Sequence, residues 1–284
     1  MDRWTALDLE GELLTRRQMI AYGRRFARAG RGAWYSFAIE VVWQFLVQTT
    51  RFRVRGSRHI PKTGGVLVAS NHLSFADPTT LTAFCLAAGR VPRYLAKASL
   101  WKLPVVGRVM RSGRHIPVYR GAATAAEAYR DLVASVRAGE CVAIFPEGTF
   151  SNDPGGWPMR GKTGVVRAAL ETGAPVIPVA NWGTHHLLPS TAKVPRGLPR
   201  KTVELVAGPP VDLSKYEGRP LDAATLNAAT ADIMRAIADL LGELRGEPAP
   251  EKLYDHKDAV RARRAAEKGD PDEGSDTDKE AKAS

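Results

Sequence analysis

Short apolar runs set the rhythm of the chain. Residues 65–70, 142–145 and 176–180 are continuous rather than alternating in hydrophobicity, the pattern of strands buried on both faces. Residues 52–54, 93–96 and 202–206 add shorter strand candidates. Between these runs the apolar positions recur at helical spacing over residues 79–88, 123–138, 164–171 and 223–245. The last of these carries Leu226, Ile233, Met234, Ile237, Leu240, Leu241 and Leu244 on one side. Strands alternating with helices predict an α/β fold: a single layered domain with a mostly parallel or mixed sheet flanked by helices.

Residues 33–47 form the most apolar segment of the N-terminal region. Ser36, Glu40, Gln44 and Gln48 recur every four positions and make one polar stripe on a helix. The segment falls short of the roughly 20 apolar residues that a membrane span needs. Arginines flank it on both sides (Arg24, Arg25, Arg28 and Arg31, then Arg51, Arg53 and Arg55), which suits a helix lying in a membrane interface. An amphipathic helix covering the core is the competing reading. The same two readings apply to residues 99–110, where Leu100, Trp101, Leu103, Val105, Val106, Val109 and Met110 are rimmed by Lys102, Arg108, Arg111 and Arg114. Residues 1–32 are arginine-rich and lack the apolar core and cleavage site of a secretory signal. The predicted organisation is a basic N-terminal region with an interfacial helix (1–50), a main domain (51–247) and a charged, disordered tail (248–284).

The net charge of +11 sharpens this picture. From Pro248 onward eight lysines and arginines meet ten carboxylates, so the positive excess lies in the body of the chain. Such a body prefers polyanions, and no interleaved aromatic and basic motif or zinc-finger spacing points to nucleic acid. Membrane lipids on the cytoplasmic face of the cell membrane, met without a span, are the expected partner. Cys85 and Cys141 sit in apolar runs and read as small buried hydrophobes, as in a reducing compartment. The adjacent His185 and His186 do not make a metal site by themselves.

Candidate chemistry lies at two strand ends. Asn71, His72, Ser74 and Asp77 follow the run at 65–70 and precede a helix. A histidine followed five positions later by aspartate on such a turn lets the carboxylate hold one ring nitrogen, leaving the other to take a proton from a hydroxyl. Asp77 before Pro78 also reads as an ordinary helix start. Residues 144–151 end a second apolar run with Phe145, Pro146, Glu147, Gly148, Thr149, Phe150 and Ser151.

Together these stretches resemble the glycerolipid acyltransferases, the family that includes 1-acyl-glycerol-3-phosphate acyltransferases. The first family block, N-H-x-S-x-x-D, is matched by Asn71, His72, Ser74 and Asp77. The block F-P-E-G-T-R-S is matched by Phe145, Pro146, Glu147, Gly148, Thr149 and Ser151, with Phe150 where the family usually has arginine. Looser matches are Ile116 to Arg120, the Val176-Ile177-Pro178-Val179 block, and Lys162 with Gly164. The resemblance implies that residues 51–247 are an acyltransferase domain. Its donor would be acyl-CoA or acyl carrier protein, with no further cofactor, and its acceptor a lysophospholipid hydroxyl, most simply that of 1-acyl-glycerol-3-phosphate. Another lysolipid or a glycolipid is the alternative acceptor. Within it His72 and Asp77 are the catalytic pair and Glu147 orients the acceptor. Backbone N–H groups at Gly148 and Thr149 are candidates for the oxyanion, glycine permitting close approach. Lys97, Arg120 and Lys162 are candidates for phosphate, Arg as a fork and Lys as a point charge.

Two rival readings follow from other patterns. No G-x-S-x-G elbow is present, which disfavours a serine hydrolase. Residues 156–163 match G-x-x-x-x-G-K-T formally, a remote nucleotide-binding alternative. Against it, that loop does not leave a strand directly, and Trp157 and Pro158 suit a phosphate cradle poorly.

Overall fold

The structure is a computed structural model and describes residues 10–119, 122–192 and 194–255. Two N-terminal helices, α1 (Arg16–Gly23) and α2 (Ala33–Thr49), lead into β1 (Thr50–Arg55). The chain continues through β2 (Val66–Ser70), α3 (Asp77–Ala87), β3 (Pro92–Lys97), α4 (Pro104–Ser112), β4 (Ile116–Val118), α5 (Ala122–Arg137) and β5 (Cys141–Ile144). It ends with α6 (Gly164–Thr172), β6 (Val176–Trp182), α7 (Thr184–Leu187), β7 (Lys201–Ala207) and α8 (Ala223–Arg245). The strands form one sheet in the order β1-β7-β6-β2-β5-β3-β4. Every neighbouring pair is parallel except β6 and β7, so the sheet is mixed and mostly parallel, as predicted.

The continuous apolar runs are explained by the layers. Along β2, Val66 and Val68 face a core shared with α1, α2 and α3, while Leu67 and Ala69 face a second core shared with α5, α6 and α8. With both faces covered, residues 66–69 are all apolar, and the polar Ser70 stands buried at the strand's end. The central strands therefore have dry flanks, and their carboxyl ends, where loops begin, are the open edge of the layer.

Helix α2 buries Tyr35, Ile39, Trp43, Leu46 and Val47 in the first core, beside Tyr22, Phe26 and Phe52. It also carries an exposed apolar row, Trp34, Phe37, Val41 and Phe45, between the buried and polar stripes. Both readings of this segment thus have a face. Residues 248–255 depart from the expected disorder. Arg235 donates to Pro250 O, Arg160 N–H donates to Tyr254 O, and Arg160 pairs with Asp255 at 3.1 Å. Hydrogen bonds to the domain order a segment whose composition alone reads as free; residues 256–284 lie outside the described residues.

At the amino ends of β2 and β5, far from the loops just named, Arg90 is buried. Its guanidinium donates to Pro61 O, Gly64 O and Gly139 O, joining the chain segments that enter both strands. Arg90→Met is expected to leave these carbonyls without a donor and lower unfolding free energy by about 3 kcal/mol. Urea unfolding measures the loss; a change below about 0.5 kcal/mol would be that of an ordinary surface substitution.

Candidate active site

The strand order brings three carboxyl ends together, because β2 lies between β5 and β6. From β2 come Asn71 to Asp77, from β5 the Glu147 turn, and from β6 Asn181, Gly183 and Thr184. The turn after β2 closes on itself. His72 Nδ1 bonds Asp77 Oδ2 at 2.8 Å, and Oδ2 also accepts from the Leu73 and Ser74 N–H groups. Asp77 opens α3, with Pro78 next to it at a position where a missing N–H costs nothing. Asp77 is the first residue of α3 rather than its N-cap, which is Ala76, and its carboxylate makes no capping bond because its oxygens are spent on His72, the turn and the end of β6.

The other oxygen of Asp77 faces away from the turn. Oδ1 accepts from Asn181 Nδ2 (2.8 Å) and from the Thr184 hydroxyl. Asn71 and Asn181 exchange amide-to-backbone bonds at 2.9 and 2.8 Å, tying the ends of β2 and β6. Ser74 Oγ donates to Leu188 O and accepts from Ala76 N–H. Asn71, Ser74 and Asp77 are wholly buried, so Asn71 and Ser74 shape the turn rather than line the cavity.

Glu147 has a different task from the one expected. Its Oε1 accepts from His72 N–H at 2.9 Å and its Oε2 from Met159 N–H at 3.0 Å, and the side chain is buried. It therefore braces the backbone of His72 against the following loop and does not reach the cavity. The loop that formally matches a phosphate-binding pattern is likewise committed internally. The N–H groups of Gly156, Trp157, Met159, Arg160 and Lys162 bond to Asp153, Glu147, Tyr254 and Pro146, leaving no cradle for a nucleotide.

The ring of His72 stands in an aromatic column. Phe145 stacks on one side at 4.1 Å between centroids, Phe150 tilts against it at 4.3 Å, and Phe75 meets Phe150 at 4.6 Å. His72 lines a cavity of ≈1260 Å³. Its walls include Ile39, Val42, Trp43 and Leu46 of α2, and Ala128 and Leu132 of α5, so it touches both cores. Gly148, Thr149, Lys97 and Lys162 also line it. Gly148 has φ +69, and a Cβ there would come within 2.4 Å of Lys162 Nζ, so glycine lets the ammonium lie over the turn. Arg120 lies outside the described residues. Among those described, no group of three or more His, Cys, Asp or Glu is placed to hold a metal.

His72, bonded to the buried Asp77, stands on the carboxyl edge of a mostly parallel sheet and lines a largely apolar cavity. Residues 51–182 match the Acyltransferase family model. The 1-acyl-sn-glycerol-3-phosphate acyltransferase BAT2, chloroplastic, of Brassica napus is 29% identical over 171 residues, covering 60% of this chain and 46% of the relative. The 1-acyl-sn-glycerol-3-phosphate acyltransferase of Borreliella burgdorferi is 33% identical over 168 residues, 58% of this chain and 64% of the relative. The crystal structure of the 1-acyl-sn-glycerophosphate (LPA) acyltransferase PlsC from Thermotoga maritima aligns with a TM-score of 0.54 and 25% identity, over 76% of this chain and 83% of that one. Residues 51–182 are thus similar to the acyltransferase family, and the chain spans between about half and two thirds of the length of these two curated relatives.

Burial pushes the Glu147 carboxyl up to about 8, although the two backbone hydrogen bonds pull it the other way. The folded chain then keeps a proton there that the unfolded chain has already released. Stability from this group is full below the ordinary glutamate range and is lost as pH rises through about 8. Thermal melts between about pH 5 and pH 9 are expected to fall more steeply for the wild type than for Glu147→Gln, whose amide does not titrate. Parallel slopes would refute the assignment.

Proposed function

We propose that the protein transfers a fatty acyl group from a thioester, acyl-CoA or acyl carrier protein, to the free hydroxyl of a lysophospholipid. The names of its relatives point to 1-acyl-glycerol-3-phosphate, which would give phosphatidic acid. The observation that carries this reading is the 2.8 Å bond between His72 and Asp77 at the head of an apolar cavity. At ≈1260 Å³ the cavity exceeds the roughly 300–1,000 Å³ of ordinary small-molecule pockets, as a long chain demands.

With the Nδ1 proton held on Asp77, Nε2 keeps a lone pair and takes the hydroxyl proton. The acceptor oxygen attacks the thioester carbon, and the tetrahedral oxyanion collapses to expel the thiolate. The thiolate recovers the proton from the imidazolium, leaving ester and free thiol. No protein nucleophile and no further cofactor enter this route. Of the two backbone groups expected at the oxyanion, Gly148 N–H is spent on Phe145 O at 2.9 Å. Thr149 N–H is the remaining donor. Lys97 and Lys162 on the cavity wall supply positive charge for phosphate.

Phe150 favours a second reading of the acceptor. Its ring is committed to His72 and Phe75, so the charge that arginine usually brings is missing from this corner, and Phe75 is largely exposed. A bulkier headgroup resting on that apolar wall is the alternative. The purified protein, given an acyl-CoA or an acylated carrier protein with a panel of lysolipids, separates the two when products are weighed by mass spectrometry. Preference for the phosphomonoester supports lysophosphatidic acid, and preference for a phosphodiester supports the second. His72→Ala is expected to lower kcat by about 10²- to 10⁴-fold, and Asp77→Asn by a large factor through loss of ring orientation. A folded His72→Ala protein with wild-type turnover would remove the base from the mechanism.

Peripheral attachment to an anionic membrane, on the cytoplasmic face, completes the proposal. No helix among the described residues is long and apolar enough to cross a membrane. The exposed row of α2 continues onto Leu103, Val105 and Val106 at the start of α4, and the Arg108 guanidinium lies 5.1 Å from the Trp34 ring. Other residues of the same helix, among them Ile39, Val42 and Leu46, line the cavity. Phe37→Glu combined with Val105→Glu is expected to cut liposome binding by about tenfold or more while leaving the melt unchanged. Binding should also rise with anionic lipid and weaken with salt. Full retention of the double variant on liposomes would place the contact elsewhere.

A further inference from the structure

We infer that Thr184, supported by Asn181, is a positioning residue that fixes the rotation of the Asp77 carboxylate and so the aim of His72; the inference rests on reading His72 as the base. Thr184 lies beyond the residues that match the family model, which end at 182. The bonds on Asp77 divide by origin. All three donors on Oδ2 come from its own turn, namely His72 Nδ1–H and the Leu73 and Ser74 N–H groups. Both donors on Oδ1 come from the end of β6 and the turn after it, Asn181 Nδ2–H and Thr184 Oγ1–H.

That division has a consequence for catalysis. Asp77 has no solvent-exposed surface, so an oxygen stripped of donors finds no water to replace them. A carboxylate relieved of its Oδ1 donors gains by swinging that oxygen toward the backbone donors of the turn. The swing takes Oδ2 off the line to His72 Nδ1. The two donors on Oδ1, from the end of β6 and the residue after Gly183, hold the carboxylate against that swing.

The surroundings of Thr184 are built for this. Gly183 has φ +88, and a Cβ there would stand 2.1 Å from Thr202 O, so the chain turns tightly against β7 only with glycine at this point. Thr184 follows at once and is wholly buried. Asn181 Oδ1 is buried without a partner among the described residues, so the carboxylate, and not the amide oxygen, dictates which way the amide points. Asn181 also holds Asn71 through its backbone, which makes Thr184 the cleaner residue to change.

Thr184→Val keeps the shape and removes the hydroxyl; Thr184→Ser keeps the hydroxyl and removes the methyl. Expected for Val is a fall in kcat of about 10- to 100-fold with KM for both substrates unchanged. Ser is expected to recover kcat to within about threefold of wild type. Thr184→Ala is held to the same comparison if Val fails to fold. Thr230→Val serves as the control for losing a buried hydroxyl, since Thr230 bonds Leu226 O inside α8, and is expected to keep wild-type kcat. Wild-type kcat in folded Thr184→Val, or activity that follows melting temperature alike in Val, Ser and the control, overturns the inference. His72→Ala run in parallel separates the two failures: if it is inactive while Thr184→Val is normal, only the positioning role falls, and if it is active, the base itself does.

Discussion

Water solvates a carboxylate cheaply and a protein interior does not. Asp77 is placed where the protein must supply everything that water would have given, and much of the molecule follows from that demand. The turn after β2 folds back so that two of its N–H groups reach one oxygen. Strand β6 lies beside β2, and its end carries an amide and a hydroxyl to the other oxygen. The fifth donor is the histidine ring. The side chain proposed as the base is thus one spoke of a structural hub that ties the ends of β2 and β6.

A second demand acts on α2. This helix has to close one core and also present an apolar surface outward, and an ordinary amphipathic helix does only the first. Its three stripes divide the work. Tyr35, Ile39 and Trp43 face inward, Trp34, Phe37, Val41 and Phe45 face out, and Ser36, Glu40 and Gln44 occupy the arc between. The cavity runs beneath the same helix, so one element forms the lid of the site and the proposed membrane contact.

The central strands were legible because burial on both faces leaves a short continuous apolar run, which its length and bounding turns separate from a buried helix segment. The helices read at 79–88 and 223–245, observed at 77–87 and 223–245, were legible from the spacing of their apolar positions, the first also from Pro78. Helix α1 was not, since only Met19 and Tyr22 are buried in an arginine-rich stretch, too few positions to show a period. Of the site, His72 and Asp77 stood out because their contact is local. The bonds from Asn181 and Thr184 to Asp77 join residues more than a hundred positions apart, and only the adjacency of β2 and β6 creates them. Glu147 was visible as a residue but not in its task, because whether a carboxylate meets solvent, substrate or backbone is decided by the loop that returns at Met159.

The aromatic column around His72 has a spectroscopic side. The Phe145 ring stacked at 4.1 Å, with Phe150 tilted at 4.3 Å, places the imidazole carbon-bound protons in aromatic ring currents. The resonances of this histidine are therefore displaced upfield from those of an unstacked imidazole. Its tautomer and protonation, which coordinates leave to inference from hydrogen bonding, become directly observable in the intact protein. The same stacking that keeps the ring flat and still makes it its own reporter.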